Sequence, residues 1–81
     1  MSDTSDTIYM TSDLVSVTGL GRHTVYYYLK LGLIKETGRT WRGNYRYFNQ
    51  SVIERLQKII ALRAEGLSLN AIKQRLEDTT P

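Results

Sequence analysis

The sequence predicts a small, mostly α-helical domain carrying one two-stranded hairpin. Three observations predict it. Two short helical segments, one stopping at Gly19 and the next running from about Arg22 to Leu31 before Gly32, are joined by a glycine-containing turn. The segment from Leu33 to Phe48 has glycine-rich turn chemistry in its middle and an alternating aromatic run at its end. Two further helical patterns fill the remainder, the first up to Gly66 and the second after Ser68.

Each element has a local cause. Thr11 or Ser12 is suited to N-cap the first helix, with Asp13 in its first turn at the positive end of the dipole. Leu14, Val15 and Val17 supply a short apolar stripe, Gly19 ends the helix, and Leu20 is expected as a buried turn residue. In the second helix, 100° spacing places Val25, Tyr28 and Leu29 on one side and Arg22, His23, Tyr26, Tyr27 and Lys30 on the other. Leu33 and Ile34 begin an extended segment that returns through Tyr45-Arg46-Tyr47-Phe48, giving a hairpin near 35–48 with its turn at Gly43-Asn44. A lone hairpin is marginal and must pack on the helices. Asn49 suits the N-cap of a third helix, about Gln50 to Glu65, whose core positions are Val52, Ile53, Leu56, Ile59, Ile60 and Leu62. Ser68 caps a fourth helix carrying Leu69, Ile72 and Leu76. This order is a winged helix-turn-helix with a two-stranded hairpin wing and two further C-terminal helices. The organisation expected is a disordered lead over 1–8, one domain over 9–77 and a frayed end over 78–81.

The 81 residues contain no cysteine, which removes disulfides, thiolate metal sites and cysteine nucleophiles, and a reducing cytoplasm is the default compartment. No apolar run approaches the roughly 20 residues of a membrane span, and the polar, acidic start resembles no signal or transit peptide. One histidine, no cysteine and no paired carboxylates supply neither a catalytic set nor a metal site, so no enzyme, cofactor or metal is expected.

The net charge is +3, and its distribution is more informative than its size. Residues 1–21 hold three acids and no base, whereas 22–46 hold six bases (Arg22, Lys30, Lys35, Arg39, Arg42, Arg46) against Glu36 alone. Seven of the eight aromatics fall between Tyr26 and Phe48, nearly the same stretch. Bases interleaved with tyrosines suit a polyanion, although composition alone fits a solvated face with core tyrosines equally well. The second helix tips the balance. Its outer face holds bases, an imidazole and tyrosine hydroxyls with no carboxylate, whereas solvated faces mix both charges; a helix read into duplex DNA presents such a face. Trp41 fits a base wedge, a minor-groove contact or hairpin packing, with packing or backbone contact favoured.

Three blocks then carry a family resemblance. The stretch Thr18-Gly-Leu-Gly-Arg-His-Thr-Val-Tyr-Tyr-Tyr-Leu-Lys-Leu-Gly-Leu-Ile34, the run Asn44-Tyr-Arg-Tyr-Phe48 and the segment Leu62-Arg-Ala-Glu-Gly-Leu-Ser-Leu-Asn-Ala-Ile72 resemble the N-terminal DNA-binding domain of the MerR family of bacterial transcription regulators. They occur in the family's order across about four-fifths of the chain. The resemblance implies sequence-specific binding of promoter or operator DNA, with helix 22–31 in the major groove and wing 35–48 on the phosphate backbone. It implies DNA contacts from Thr24, Tyr27 and Arg46, the last two chiefly at phosphates. With the helix face and wing, the DNA-binding set expected is Gly21, Arg22, His23, Thr24, Tyr26, Tyr27, Lys30, Arg39, Arg42, Tyr45 and Arg46.

The sequence departs from the family at Gly21, where a serine cap is usual, at His23 and Tyr26, where arginines are common, and at Phe48, which replaces a tyrosine. A bidentate arginine–guanine contact is therefore unavailable at His23. Full-length members dimerise through a coiled-coil helix. Nothing after Leu76 supplies a heptad seam, so a homodimer is expected only if a coiled coil is missing from this chain, and RNA polymerase enters only in a full-length context. Two alternatives stand beside the regulator reading. One is an excisionase-like architectural DNA-binding factor; the other is a MerR-like module that binds a protein and modulates a chaperone, which the retained bases disfavour. The expected location is the cytoplasm, at the nucleoid.

Overall fold

The computed structural model describes residues 7–78. Most of the expected lead (1–6 of 1–8) and residues 79–81 of the expected frayed end lie outside the described residues. Within them the chain forms α1 (Thr11–Thr18), α2 (Arg22–Leu31), β1 (Gly38–Arg39), β2 (Arg46–Tyr47), α3 (Gln50–Ala64) and α4 (Leu69–Asp78). Helix α1 packs on α2 and α3, and α4 packs on α3. The single core takes Leu14 from α1, Val25 and Tyr28 from α2, Leu33, Ile34 and Phe48 from around the wing, and Ile72 and Leu76 from α4, all against the buried face of α3. Burying such side chains at about 1.5–3 kcal/mol each is the main stabilising term.

The helix-turn-helix is built at its turn. Thr18 Oγ1 donates to the Leu14 carbonyl at 2.6 Å and accepts the Leu20 N–H at 3.2 Å, so one side chain serves the end of α1 and the start of the turn. Gly19 adopts φ +78°, where a side chain is strained. Gly21, the N-cap of α2, has an ordinary φ of −70° and open space where a Cβ would stand. Glycine there is therefore not required by the backbone.

Several local expectations are corrected. Met10, not Thr11 or Ser12, occupies the N-cap of α1, and its N–H donates to Asp13 Oδ2 at 2.8 Å. The acid expected to act on the helix dipole makes a direct bond as well. Val17 is 51% exposed, because Leu14 and Thr18, one turn apart, centre the inward face and leave Val17 on its outer flank. Leu20 is only half-buried, as is Ile60 in α3, which lies beside the buried row through Leu56 and Ile59. Asn49 does cap α3 by position, but its side chain accepts from Ser51 Oγ at 2.6 Å instead of from a helix N–H. Ser68 Oγ does accept the Ala71 N–H, at 3.1 Å.

The wing is shorter than the alternation suggests. Leu33 and Ile34 form a buried bend, not a strand, because burial in the core takes them out of reach of a ladder. Pairing is confined to Gly38 with Tyr47 and Arg39 with Arg46, antiparallel. The Thr37 N–H to Tyr47 carbonyl and Thr40 N–H to Tyr45 carbonyl bonds (2.9 and 2.8 Å) extend the ladder at both ends. Tyr9 adds a rung that sequence patterning does not reveal. Its N–H and carbonyl exchange bonds with Phe48 at 2.8 and 2.7 Å, and its hydroxyl donates to Gln50 Oε1 at 2.9 Å. Phe48 is itself fully buried, so the base of the wing is anchored in the core.

The turn geometry makes a paired prediction. Gly21→Ser should stabilise the domain by about 0.5–1 kcal/mol through a new cap and a less flexible unfolded chain. Gly19→Ser should destabilise it by about 1 kcal/mol, since the left-handed conformation then carries a Cβ. Urea unfolding at equal m-value measures both; a loss at Gly21→Ser would contradict the open geometry at the start of α2.

Candidate nucleic-acid interface

Helix α2 presents its predicted faces. Val25 and Tyr28 are buried and Leu29 half-buried, while Arg22, His23, Tyr26, Tyr27 and Lys30 are all exposed. Among the described residues, the side chains of Arg22, His23 and Lys30 have no hydrogen-bond or ion-pair partner. Thr24 is half-buried in the first turn, with its N–H on the Gly21 carbonyl at 3.1 Å. Gly21 is exposed at the helix start.

The wing meets this face edge-on. The Arg46 guanidinium lies 6.0 Å from the centre of the Tyr26 ring, a cation–π contact between β2 and α2. Tyr26 and Arg46 line two open grooves. One, of about 390 Å³, gathers Arg22, Arg39, Asn44 and Tyr45 with Met10, Thr11 and Ser12 at the start of α1. The other, of about 630 Å³, gathers Leu29, Lys30, Lys35 and Glu36. Of the residues expected from sequence, Arg22, Tyr26, Arg39, Tyr45, Arg46 and Lys30 are thus brought onto one surface. His23, Thr24 and Tyr27 belong to the same helix but line neither groove, and Arg42 stands apart at the wing tip.

Glu36, the lone acid of the basic stretch, holds two of these bases. Its Oε2 accepts from Arg39 Nε at 2.9 Å and its Oε1 from Arg46 Nε at 2.8 Å. Arg39 Nη1 also donates to the Asn44 carbonyl at 3.3 Å. Exposed pairs such as these add little stability, but they restrict two long side chains that would otherwise sample many rotamers. The carboxylate engages each guanidinium through Nε, which leaves Arg46 with terminal amino groups free to donate. Charge counting registers Glu36 only as a subtraction from the basic total and misses this bracing. The expected DNA-binding set also leaves out Lys35, Thr11 and Ser12, which line these grooves; the two hydroxyls read as helix caps.

Trp41 corrects an expectation. It is 89% exposed, so it does not pack the hairpin; the Arg42 guanidinium lies over it, 5.2 Å from the ring centre. The two-residue strands and the four-residue turn place the indole at the exposed end of the hairpin, outside the core. Among the described residues, no group of three or more His, Cys, Asp or Glu could hold a metal, and no helix is long and apolar enough to cross a membrane.

The Arg39 hydrogen bond, above all, with support from Arg46, holds the Glu36 carboxyl below its ordinary value near 4.5. A lowered folded-state value means that this bracing is fully present above 4.5 and is lost as pH falls through the folded value. Carboxyl-carbon NMR should therefore place the Glu36 midpoint below 4.5, and Arg39→Gln should raise it. A midpoint at or above that value in the unmodified chain would rule out the paired geometry.

The sequence and the fold have counterparts among known proteins. Residues 9–79 match the family profile described as MerR HTH family regulatory protein. The chain is 37% identical over 73 residues to the HTH-type transcriptional regulator CueR of Bacillus subtilis, covering 90% of this chain and 50% of that one. It is 38% identical over 64 residues to the mercuric resistance operon regulatory protein of Bacillus cereus, covering 79% and 48%. The chain therefore spans about half the length of the curated relatives it matches. Among solved structures, a MerR family transcriptional regulator from Bacillus cereus superposes with a TM-score of 0.81 at 26% identity, over 86% of this chain and 52% of that one. HiNmlR, described as a MerR family regulator lacking the sensor domain and bound to promoter DNA, superposes with a TM-score of 0.80 at 29% identity, over 90% and 55%. On this evidence of sequence and fold together, the chain belongs to the MerR family of helix-turn-helix regulatory proteins.

Proposed function

We propose that residues 9–77 bind duplex promoter or operator DNA in a sequence-specific manner as the DNA-reading part of a transcription regulator. The observation that carries this reading is the acid-free outer face of α2 continuing, through Tyr26 and Arg46, into the basic wing. Helix α2 enters the major groove with Gly21, Arg22, His23, Thr24 and Tyr26 nearest the base edges, and Tyr27 and Lys30 facing the strands. Arg39, Arg42, Tyr45 and Arg46 hold the phosphate backbone, and phosphate contacts of this kind set register without reading sequence. The likeness to HiNmlR, whose structure holds promoter DNA, supports the same docking mode here. The function is binding, with no catalytic step, in the bacterial cytoplasm at the nucleoid. Where a coiled-coil helix follows the domain, two copies would read half-sites about one helical turn apart, with RNA polymerase as the further partner at that promoter.

Two substitutions separate the two kinds of contact. Arg46→Ala should weaken binding to all duplexes alike and flatten the dependence of log K on log salt by about one unit. Titrations by fluorescence anisotropy at several salt concentrations measure this; unchanged low-salt affinity would refute the wing assignment. His23→Ala should instead redistribute preference among sites by about 1–3 kcal/mol at the base pair it contacts. Selection from a randomised duplex pool reads that change, and an unaltered consensus would remove His23 from the base-reading set.

A further inference from the structure

The reading above gives the wing tip only phosphate contacts, from Arg42 and Tyr45, and gives Trp41 no role. The tip is exposed at every residue from Trp41 to Tyr45, yet it is internally fastened. Thr40 Oγ1 donates to the Arg42 carbonyl at 2.6 Å and accepts the Tyr45 N–H at 3.0 Å, while Arg39 ties the Asn44 carbonyl from the side. Gly43 and Asn44 both take positive φ, 78° and 56°, and the Tyr45 ring lies so close over Gly43 that a Cβ there would stand 2.3 Å from it. None of these ties involves the Trp41 side chain. A tryptophan that is 89% exposed on a braced turn is an apolar surface kept in water while the backbone beneath it is ordered. The Arg42 guanidinium lies 5.2 Å from the centre of its ring, and the Arg42 donors are otherwise unpaired among the described residues. No acid occurs between Thr37 and Phe48, so the tip suits an anionic partner with narrow apolar walls.

We propose that Trp41 and Arg42 together form a minor-groove probe that selects A·T-rich DNA beside the segment read by α2. This rests on the DNA-binding reading above and moves Arg42 from the phosphate contact given there to the floor of the groove. The chemistry of the groove matches the pair. Its walls are deoxyribose edges, against which an indole face packs, and its floor offers the acceptors adenine N3 and thymine O2 to an indole N–H or a guanidinium. A·T runs narrow the groove and deepen its negative potential, which attracts an arginine; the guanine 2-amino group obstructs the floor. Stacking on Trp41 limits the rotamers of Arg42 before contact, so less side-chain freedom is lost on entry. A wing fastened at Phe48 and Tyr9 carries the pair on a rigid stem, and selection of the flank is then separate from selection by α2.

The test uses the whole chain and a duplex of about 30 base pairs selected by it from a random pool, long enough for a site and its flanks. Three versions carry A·T, G·C or inosine·C flanks; inosine·C keeps the major-groove pattern of G·C but lacks the minor-groove amino group. The A·T and inosine·C flanks should bind alike and about five- to tenfold tighter than G·C. Trp41→Ala and Arg42→Ala should each bring the three to equality; thermal unfolding should be unchanged in both, since each side chain lies outside the core. Because Trp41 is the sole tryptophan, its emission reports this position alone. Acrylamide quenching should fall as labelled duplex saturates. Unchanged quenching at saturation, or equal affinity for the three flanks, would overturn the probe while leaving DNA binding intact. Protection of Trp41 by protein concentration alone, without DNA, would overturn it in favour of a protein contact. Absence of any anisotropy change, with every duplex at low salt, would instead refute the DNA-binding reading and the probe with it.

Discussion

The placement of the wing against α2 depends on how α2 ends. The Gly32 N–H bonds the Leu29 carbonyl at 3.1 Å and the Leu33 N–H bonds the Tyr28 carbonyl at 2.9 Å, a Schellman closure that requires the left-handed φ of +80° at Gly32. Carbonyls left over at a helix end are costly if buried without partners. Here the Leu31 carbonyl accepts from Lys73 Nζ of α4 at 3.1 Å, and the Leu33 carbonyl accepts from Arg55 Nε of α3. Two helices distant in sequence therefore clasp the exit from α2, and Leu33 and Ile34 turn directly into the core. From that point the direction of the wing is set, and with it the approach of Arg46 to Tyr26.

This clasp also explains how positive charge is allotted. Residues 47–81 carry five bases, and two of them, Arg55 and Lys73, are spent on carbonyls inside the fold. Arg63 is a third, with Nη1 on the Leu67 carbonyl at 3.0 Å beyond the second Schellman turn at Gly66. The bases of 22–46 differ. Arg22, Lys30 and Arg42 donate to no carbonyl among the described residues, and Arg39 and Arg46 share one surface carboxylate. Three uncommitted cations, Arg22, Lys30 and Arg42, thus stand on α2 and the wing, while Lys58 and Arg75 are the exposed, unpaired bases of the two C-terminal helices among the described residues. A potential of one sign gathered on one face steers a polyanion more effectively than the same net charge spread evenly.

Much of the fold was legible because its causes are local. Helix α2 appeared with its bounds because apolar residues recur at helical spacing and glycine stands at the exit. The capping role of Ser68 and the stops at Gly19, Gly32 and Gly66 follow from backbone chemistry that reads one residue at a time. The exposed face of the candidate interface was legible where composition and periodicity agreed, as for Arg22, Tyr26 and Lys30. It was illegible where position depends on a distant partner. Tyr9 opens the domain expected over 9–77, but nothing near it in sequence shows that it pairs with Phe48, and Leu33 and Ile34 look like a strand until the core takes them. Glu36 reads as a charge defect until two arginines are seen to fold onto it.

By itself, the sequence determined the kind of domain and its charged face: the helix-turn-helix with its glycine stops, a wing with its turn at Gly43-Asn44, and an α2 surface free of acids. These follow from short-range propensity, turn chemistry and the 3.6-residue period, which need no knowledge of what lies across the core. Only the tertiary structure decided which bases remain available, which braces orient them, and that Trp41 stands in water instead of packing. Those outcomes turn on contacts between residues as many as 42 positions apart, such as Lys73 with the Leu31 carbonyl, whose geometry is settled only when the whole core closes.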